Sequence, residues 1–207
     1  MIDIFNMENK LDLTNITCHS GGATGADFFF FETIGENYGV KTKAYSYKTK
    51  YHTTENKVEI SDTDYEEGVK EITKANRVLS RYGIHKFMNL LARNWSQVKY
   101  SDEVFAIGTI VEPGKKGSKG FYNKSEFQVV DGGTGYAVQM AINNGKFVYV
   151  FDQDKDKWFR WSYTSLKFIE VTKPLKISYE NFAGIGTREI KPNGIKAIEE
   201  IYKLTFN

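Results

Sequence analysis

The chain is poor in the residues that build disulfides and metal sites. Its 207 residues include one cysteine, Cys18, and three histidines. A single cysteine excludes an internal disulfide and a zinc site built on cysteine ligands, and the scattered histidines lack metal-ligand spacing. We therefore expect neither a metal nor another cofactor.

Long apolar runs and an excess of one charge are also missing. Lys and Arg total 28 against 26 Asp and Glu, which gives a formal net charge of +2. A nearly neutral chain offers no electrostatic argument for binding duplex nucleic acid or an anionic membrane. Because the sequence shows no signal peptide and no membrane-spanning segment, we expect a cytoplasmic protein that binds small molecules or proteins. Its length suits a single domain, residues 1–207.

What the sequence does contain is a glycine-rich stretch that follows a short strand. Residues 15–19 predict a strand, the glycines at 21, 22 and 25 a tight turn, and residues 25–39 a helix. Such a turn suits an anion, because glycine exposes backbone amides and the first turn of a helix leaves N–H groups unpaired. It lacks the Lys-Ser/Thr of a P-loop and the spacing of G-x-G-x-x-G. Asp27 would repel a phosphate but could bind a sugar hydroxyl or an amine, and a nucleotide offers both kinds of partner.

Two further glycine-rich turns lie between a predicted strand and a predicted helix. The second, 130–135, precedes a helix over 136–143, and the third, 183–189, separates a strand over 176–182 from a helix over 192–204. Turns of this kind gather at the carboxyl edge of a parallel sheet, where ligands bind. Many such turns are purely structural, but three in one small chain predict a nucleotide site.

The remaining segments alternate between strand and helix patterns. They predict strands at 41–47, 101–110 and 147–151, a helix capped by Ser61, a helix over 82–97, loops at 48–60 and 111–127, and a hairpin region at 152–171. The fold predicted is α/β, a Rossmann-like open, mostly parallel sheet with helices on both faces, plus a β-hairpin insertion. The loop at 111–127 is rich in lysine and is placed like a ligand lid, although a solvated loop has the same composition.

With these turns in place, the sequence resembles the SLOG superfamily, which includes DprA/Smf-type proteins and LOG-type phosphoribohydrolases. The nearest likeness is to small phage-encoded members that carry the motifs GIGSRETP, SGGAxGAD, ARNxxQV and GGTGxA. This chain has the second motif at 20–27, the third at 92–98, the fourth at 132–137, and the first, as GIGTRE, at 184–189. The first motif therefore stands at the opposite end of the chain.

The displaced motif suggests a circular permutation. The strand and helix that usually open the domain would here close the chain as residues 177–207, and the two chain ends would lie close in space. The hairpin region, 152–175, would be an added piece. Its Trp158, Phe159 and Trp161 are expected to be exposed or half-buried, where they cover the core or form a dimer face.

The resemblance also implies which residues hold a ligand. LOG-type enzymes cut the N-glycosidic bond of a nucleoside monophosphate with an arginine of a helical Arg-Lys motif and a glutamate that follows the last glycine turn. Arg93 matches that arginine, whereas Gln139 stands at the position of the glutamate and cannot transfer a proton. The ligand-binding residues implied are Ser20, Gly21, Gly22, Thr24, Gly25, Asp27, Arg93, Asn94, Gly132, Gly133, Thr134, Gly135, Tyr136, Gly184, Gly186, Thr187 and Arg188.

Several of these residues also have an ordinary structural interpretation. Asp27 could cap its own helix, and Arg93 could pair with a structural carboxylate. Arg188 and Glu189 could form a solvated pair. Glu189 and Asp27 are nevertheless the candidate catalytic carboxylates if the protein is an enzyme.

Intact glycine turns without the glutamate of the enzymes favour a protein that binds and sequesters, or senses, a nucleotide-derived molecule. If the chain is phage-encoded, a host immune signal such as a cyclic nucleotide or an ADP-ribose derivative would be held in the host cytoplasm as an anti-defence function. Stacking on a base would come from Tyr47, Tyr51, Tyr122 or Tyr136.

The alternative is an enzyme that acts on an N-glycosidic bond, a nucleotide phosphoribohydrolase or a deoxyribosyltransferase. Binding of single-stranded DNA, by analogy with DprA, is disfavoured by the nearly neutral charge. Phe28–Phe31 cover all sides of a helical turn, so that at least one ring must face another element or subunit. Together with the oligomers common in the superfamily, this favours a homodimer or a higher homo-oligomer.

Overall fold

The computed structural model describes residues 11–48, 54–118, 120 and 122–207. The strands are β1 (Thr17–Ser20), β2 (Lys41–Ser46), β3 (Lys57–Glu59), β4 (Glu103–Gly108), β5 (Ile110–Val111), β6 (Val129–Val130), β7 (Phe147–Asp152), β8 (Lys157–Ser162), β9 (Lys167–Glu170) and β10 (Asn181–Gly186). The helices are a π-helix (Ala26–Glu32), α1 (Thr33–Asn37), α2 (Asp62–Leu79), a 3-10 helix (Ile84–Phe87), α3 (Met88–Ala92), α4 (Asn94–Lys99), α5 (Thr134–Asn143) and α6 (Pro192–Phe206).

Eight strands of the described chain form one sheet in the order β3-β2-β1-β10-β4-β7-β8-β9. The six strands from β3 to β7 run parallel, and β7, β8 and β9 pair antiparallel as the predicted hairpin insertion. β5 and β6 form a separate two-stranded antiparallel sheet. β10, the last strand in the sequence, lies in the middle of the large sheet between β1 and β4.

The sheet is covered on both faces, which confirms the α/β architecture predicted from the sequence. Along β4, Val104 and Ala106 pack into a core with α2 to α5, whereas Phe105 and Ile107 pack into a second core with the π-helix and α6. Side chains of a strand alternate between the two faces of a sheet, and a strand covered on both faces is mostly apolar. All six residues of β4 are accordingly buried.

The beginnings of two helices follow the predicted sequence signals. The Ser61 hydroxyl accepts a hydrogen bond from the Asp64 N–H at 3.0 Å, which caps α2. Pro192 occupies the first turn of α6, where its missing N–H leaves no carbonyl unsatisfied. None of the helices in the described part of the chain is long and apolar enough to cross a membrane.

The single helix predicted over 82–97 is wrong. The chain instead forms the 3-10 helix, α3 and α4 as three short pieces. Gly83 has a positive φ of 73°, and Phe87, with φ −120° and ψ 14°, leaves the helical region. Phe87 is therefore 59% exposed rather than part of an apolar stripe, and the chain changes direction so that Leu91 and Val98 can be buried.

Three smaller predictions also need correction. The strand expected over 176–182 begins only at Asn181 and continues to Gly186, so the first half of the predicted glycine turn is extended strand. The loop predicted over 48–60 contains the short strand β3, and its residues 49–53 lie outside the described residues. Trp161 is buried, with its ring edge-on to Phe168 at 5.1 Å, because the hairpin folds its inner face onto the core.

Gly184 explains why β10 can pass so close to the π-helix. A Cβ built on Gly184 would collide with the Phe31 ring, whereas a Cβ on Gly133 would meet only Leu91 Cδ2, at 3.9 Å. We expect Gly184→Ala to lower the free energy of unfolding by roughly 1–3 kcal/mol, because overpacking forces side chains and backbone to shift. Gly133→Ala is the matched control, and we expect it to change that energy by less than about 0.5 kcal/mol. Urea denaturation of both variants measures the difference, and equal stabilities would contradict the packing.

Candidate functional site

The first and third glycine turns touch each other at the carboxyl edge of the sheet. Gly25, with a φ of 109°, lies against the backbone that follows β10, and a Cβ at this position would be 2.5 Å from both Thr187 O and Arg188 Cα. The Ala26 N–H donates to Thr187 O at 3.1 Å. Only a glycine allows this approach, since the positive φ and the short distance both exclude a side chain.

Asp27 connects the same two turns through its side chain. Its Oδ1 accepts a hydrogen bond from the Gly186 N–H at 2.8 Å, and the residue is 6% exposed. Burial raises the pKa of Asp27 to about 6, against the opposing effects of the Arg93 charge and the Gly186 and Gly21 amides. Asp27 therefore binds its neighbouring backbone rather than only capping its own helix.

Arg93 supports the first turn from the side of α3 and α4. Its Nη1 donates to Tyr45 O at 2.9 Å and also to Gly21 O, and the side chain is buried. A Cβ on Gly21 would collide with Arg93 Nη1 and would lie 2.5 Å from Asp27 Oδ2 and 2.6 Å from Gln97 Nε2. The side chains of Asp27, Arg93 and Gln97 therefore surround Gly21 and leave no space for a side chain at this position.

Glu32 is a second buried carboxyl group beneath the turn. The Ser20 hydroxyl donates to Glu32 Oε1 at 2.6 Å, and Glu32 is 1% exposed. Burial raises the pKa of Glu32 to about 7, and the nearby charge of Asp27 acts in the same direction, although the hydrogen bond from Ser20 opposes both. The Ser20 hydroxyl therefore points into the protein, where it is hydrogen-bonded to the buried Glu32.

The glycine turn before α5 is supported by an arginine that the sequence motifs do not include. Arg81 donates to Val130 O at 2.6 Å and to Gly132 O, and its guanidinium lies over the Tyr136 ring. Gly135 packs directly against Val130 O, where a Cβ would collide. The Tyr136 hydroxyl donates to Asn76 Oδ1 at 2.8 Å, so this ring belongs to the core.

The predicted ligand-binding residues fall into a buried layer and a more accessible layer. The buried positions are Ser20, Gly21, Gly22, Gly25, Asp27, Arg93, Gly135, Tyr136 and Gly184. The half-buried or exposed positions are Thr24, Asn94, Gly132, Gly133, Thr134, Gly186, Thr187 and Arg188. Glu189 is exposed beside them, and its N–H donates to Thr187 Oγ1 at 3.1 Å. A ligand at this edge would contact the half-buried and exposed residues, whereas the buried residues hold the turns in their conformation.

The tyrosines considered for stacking on a base differ in accessibility. Tyr47 is buried, stacks on Tyr65 at 4.0 Å and donates to Asp62, and Tyr136 is buried as well. Tyr122 is 63% exposed, and Tyr51 lies outside the described residues. Tyr122 is therefore the described candidate whose ring is open to solvent.

Some residues of the site were not identified from the sequence. Glu32 follows the four phenylalanines as a polar residue on an otherwise apolar segment, which was the available signal. Gln97 lies within the quoted ARNxxQV motif. Arg81 lies between α2 and the 3-10 helix, and only the three-dimensional structure connects it with Gly132.

Two cavities are lined by residues that do not belong to the glycine turns. One, of about 450 Å³, lies along α2 and includes Glu67, Lys74 and Trp95 in its walls. The other, of about 380 Å³, lies at the carboxyl ends of β4 and β7. In the part of the chain that the structure describes, no group of three or more His, Cys, Asp or Glu side chains could hold a metal ion.

No protein-family model matches the chain, and neither a curated protein nor a solved structure was found to be similar to it.

Substitution of the buried Arg93 should lower the stability of the folded protein. We expect Arg93→Ala to lower the free energy of unfolding by roughly 3–5 kcal/mol, because it removes two hydrogen bonds and leaves Asp27 buried without its opposite charge. Arg188→Ala, at an exposed arginine of the adjoining turn, is the control and should cost less than about 0.5 kcal/mol. Chemical denaturation at pH 7 compares the two, and an Arg93 variant as stable as the control would refute a supporting role.

The buried acids should make stability depend on pH. Since folding raises the pKa of Glu32 from about 4.5 to about 7, the folded protein binds more protons than the unfolded chain between these values. Stability therefore falls as the pH rises from 4.5 to 7. We expect Glu32→Gln to keep the Ser20 hydrogen bond, to be more stable than the wild type at pH 8 by roughly 1–3 kcal/mol, and to lose part of the decline. Melting temperatures at pH 5.5 and 8 provide the measurement, with the exposed Glu199→Gln as control; identical pH profiles for all three proteins would count against this assignment.

Proposed function

We propose that the chain binds a nucleotide-derived small molecule at the carboxyl edge of its sheet and holds it without chemical change, as a sensor or a sponge. The observation that carries this proposal is the contact between the turns that follow β1 and β10. Asp27 accepts from the Gly186 N–H at 2.8 Å, and the half-buried Thr187 and the exposed Arg188 continue from that contact. Asp27 occupies the Gly186 amide, so the groups that remain at this contact for a phosphate and its sugar are the exposed Arg188 guanidinium and the Thr187 side chain.

The order of the strands supports a relationship to the SLOG superfamily. When strands are numbered from β10 and the short edge strand β3 is left out, the order in space β2-β1-β10-β4-β7 is third, second, first, fourth and fifth. This is the order of a doubly wound nucleotide-binding sheet, in which the ligand lies where the strand order reverses. Here the reversal falls between β10 and β4, beside Thr187. A permuted chain would have this arrangement.

The positions of the carboxyl groups favour binding over hydrolysis. Gln139, at the position of the glutamate in LOG-type enzymes, is buried and donates to Asn143 Oδ1 at 2.9 Å. Asp27 is directed at backbone amides, and an N-glycosidase needs a carboxyl group next to the scissile bond. One observation favours the enzyme as a second candidate. With a pKa of about 6, Asp27 can exchange a proton near neutral pH.

The first experiment mixes the pure protein with AMP, ADP-ribose and cyclic dinucleotides and measures thermal shift. The bound material is then released by denaturation and identified by mass spectrometry. We expect at least one nucleotide to stabilise the protein and to be recovered intact. Recovery of free base or ribose phosphate would instead establish the enzyme, and no shift with any nucleotide would refute the proposal.

A variant pair tests the location of the site. We expect Arg188→Ala to weaken the binding of the nucleotide that gives the largest shift by roughly ten- to a hundredfold, because a charged hydrogen bond to phosphate contributes about 1.5–3 kcal/mol. Arg160→Ala removes an equally exposed arginine from β8, far along the sheet, and should leave the affinity unchanged. Calorimetric titration of both variants gives the affinities, and equal losses would show a general effect of charge.

A further inference from the structure

Exposed aromatic side chains gather at the amino edge of the sheet, opposite the glycine turns. Phe147 begins β7, Tyr179 lies before β10, and Tyr163 follows β8, which runs antiparallel to β7 and therefore ends at the same edge. All three side chains are exposed, as is Leu166 in the turn that Tyr163 begins. Single apolar side chains on a surface need no explanation, but a contiguous group marks an interaction site.

Three of these rings form a continuous surface, which we call the edge strip (Tyr163, Phe147 and Tyr179). The rings of Phe147 and Tyr179 stack with their centres 5.4 Å apart. The Tyr163 hydroxyl donates to the carbonyl of Lys146, the residue before Phe147, at 2.7 Å. The edge strip therefore crosses the ends of four neighbouring strands, β10, β4, β7 and β8, which is about 14 Å at the usual strand spacing.

The backbone beneath the edge strip is held in place by a buried carboxyl group. Glu103, the first residue of β4, accepts at Oε1 from the Ser178 N–H at 2.7 Å and from the Tyr179 N–H at 3.0 Å. Phe147 is fixed by its place in β7, where it is paired in register with Glu103. Rings on an ordered backbone lose little conformational entropy when a second surface covers them.

The end of the edge strip at Tyr179 has an excess of negative charge. Asp102 precedes β4 and Glu180 precedes β10, and both are exposed. Lys176, three residues before Tyr179, offsets one of these two charges. The remaining charged residues around this end add no further positive charge: Lys99, which is paired with Asp64 and Glu67, and Asp12 and Lys203, which have opposite signs.

The end of the edge strip at Tyr163 has an excess of positive charge. Lys146 and Lys167 lie there, within the segments 143–147 and 162–168, which contain no acidic residue. These two lysines and the two acids at the other end make no ion pair with any residue that the structure describes. The edge strip thus has exposed rings at its centre and opposite, unpaired charges at its two ends.

We propose that the edge strip is the surface through which two copies of this chain form a symmetric dimer. In a two-fold dimer both copies use the same patch, so an axis near Phe147 places the acidic end of one strip against the basic end of the other. Opposite charges then meet twice around a centre of aromatic rings, a residue class enriched in interfaces. Both candidate sites stay open at the opposite edge, and the proposal does not depend on what they bind.

Analytical ultracentrifugation of the whole protein over a series of concentrations tests the dimer. We expect the wild type to sediment as a dimer that dissociates on dilution and more readily at high salt. Lys146→Glu/Lys167→Glu makes both ends of the strip acidic, and Asp102→Lys/Glu180→Lys makes both basic. Each variant alone should dimerise at least roughly tenfold more weakly, because like charges then face each other. An equimolar mixture of the two variants should recover the dimer, since every contact then joins opposite charges.

Two controls distinguish this surface from general effects of charge and apolarity. Lys115→Glu/Lys116→Glu makes the same change of net charge at exposed positions after β5 and should dimerise as the wild type does. Phe147→Ser, at a ring that is 52% exposed, should also weaken the dimer, whereas Phe87→Ser, at a ring before α3 that is 59% exposed, should not. Far-ultraviolet circular dichroism verifies that every variant is folded.

Three results would overturn the proposal. The first is a wild type that stays monomeric at every concentration. The second is a dimer that the strip variants weaken no more than the control variants do, since the interface would then lie elsewhere. The third is a mixture of the two charge-reversed variants that remains monomeric, because the acidic and basic ends would then not face each other.

Discussion

The geometry of the candidate site depends on a hydrogen bond between parts of the chain that are 159 residues apart, from the Gly186 N–H to the Asp27 carboxylate. This bond attaches the end of the last strand to the helix that follows the first described strand. It also positions the two turns that form the candidate site. Because Asp27 is buried, the bond is shielded from water, which strengthens it and makes its loss costly.

This arrangement is energetically unfavourable in one respect, because it buries charged groups beneath the first glycine turn. Asp27, Glu32 and Arg93 are all nearly withdrawn from solvent, and removing charged groups from water is unfavourable unless they are paired and hydrogen-bonded. Arg93 offsets part of the cost by meeting two backbone carbonyls and facing the acids. The raised pKa values of the two acids indicate that the compensation is incomplete. A site built in this way resembles functional sites in general, where stability is given up for a fixed arrangement of charge.

Much of the fold could be predicted from the sequence, because β4 and β7 are mostly apolar runs and because β1 and β10 lead into glycine-rich turns. The mostly apolar pattern of β4 and the cap at Ser61 are local features that tertiary packing does not override. The helix expected over 82–97 failed because Phe87 and Gly83 interrupt it, and the apolar spacing that predicted it counted Phe87 as core. β10 was placed too early because its glycines were taken for a turn, whereas Gly184 is needed inside the strand for Phe31.

The candidate site was predictable only in part. Glycines mark positions where backbone must come close to something, so the turns could be found, but the sequence does not tell whether that partner is a ligand or the protein itself. At Gly21, Gly135 and Gly184 the partner is the protein, as the contacts with Arg93, Val130 and Phe31 show. Arg81 and Glu32 could not be assigned, because their partners are distant in sequence and no local pattern identifies them.

Because β10 lies in the centre of the sheet, both the sheet and the candidate site need the C-terminal strand. Until the C-terminal strand is present, β1 with β2 and β4 with β7 have no strand to connect them, since β10 pairs with both β1 and β4. Contacts between residues so distant in sequence carry a loop-closure cost and are associated with slower folding. The same strand brings Gly186 to Asp27 and Thr187 to Ala26. The strand that joins the two halves of the sheet therefore also builds the candidate site, so that a chain lacking its last strand would have neither.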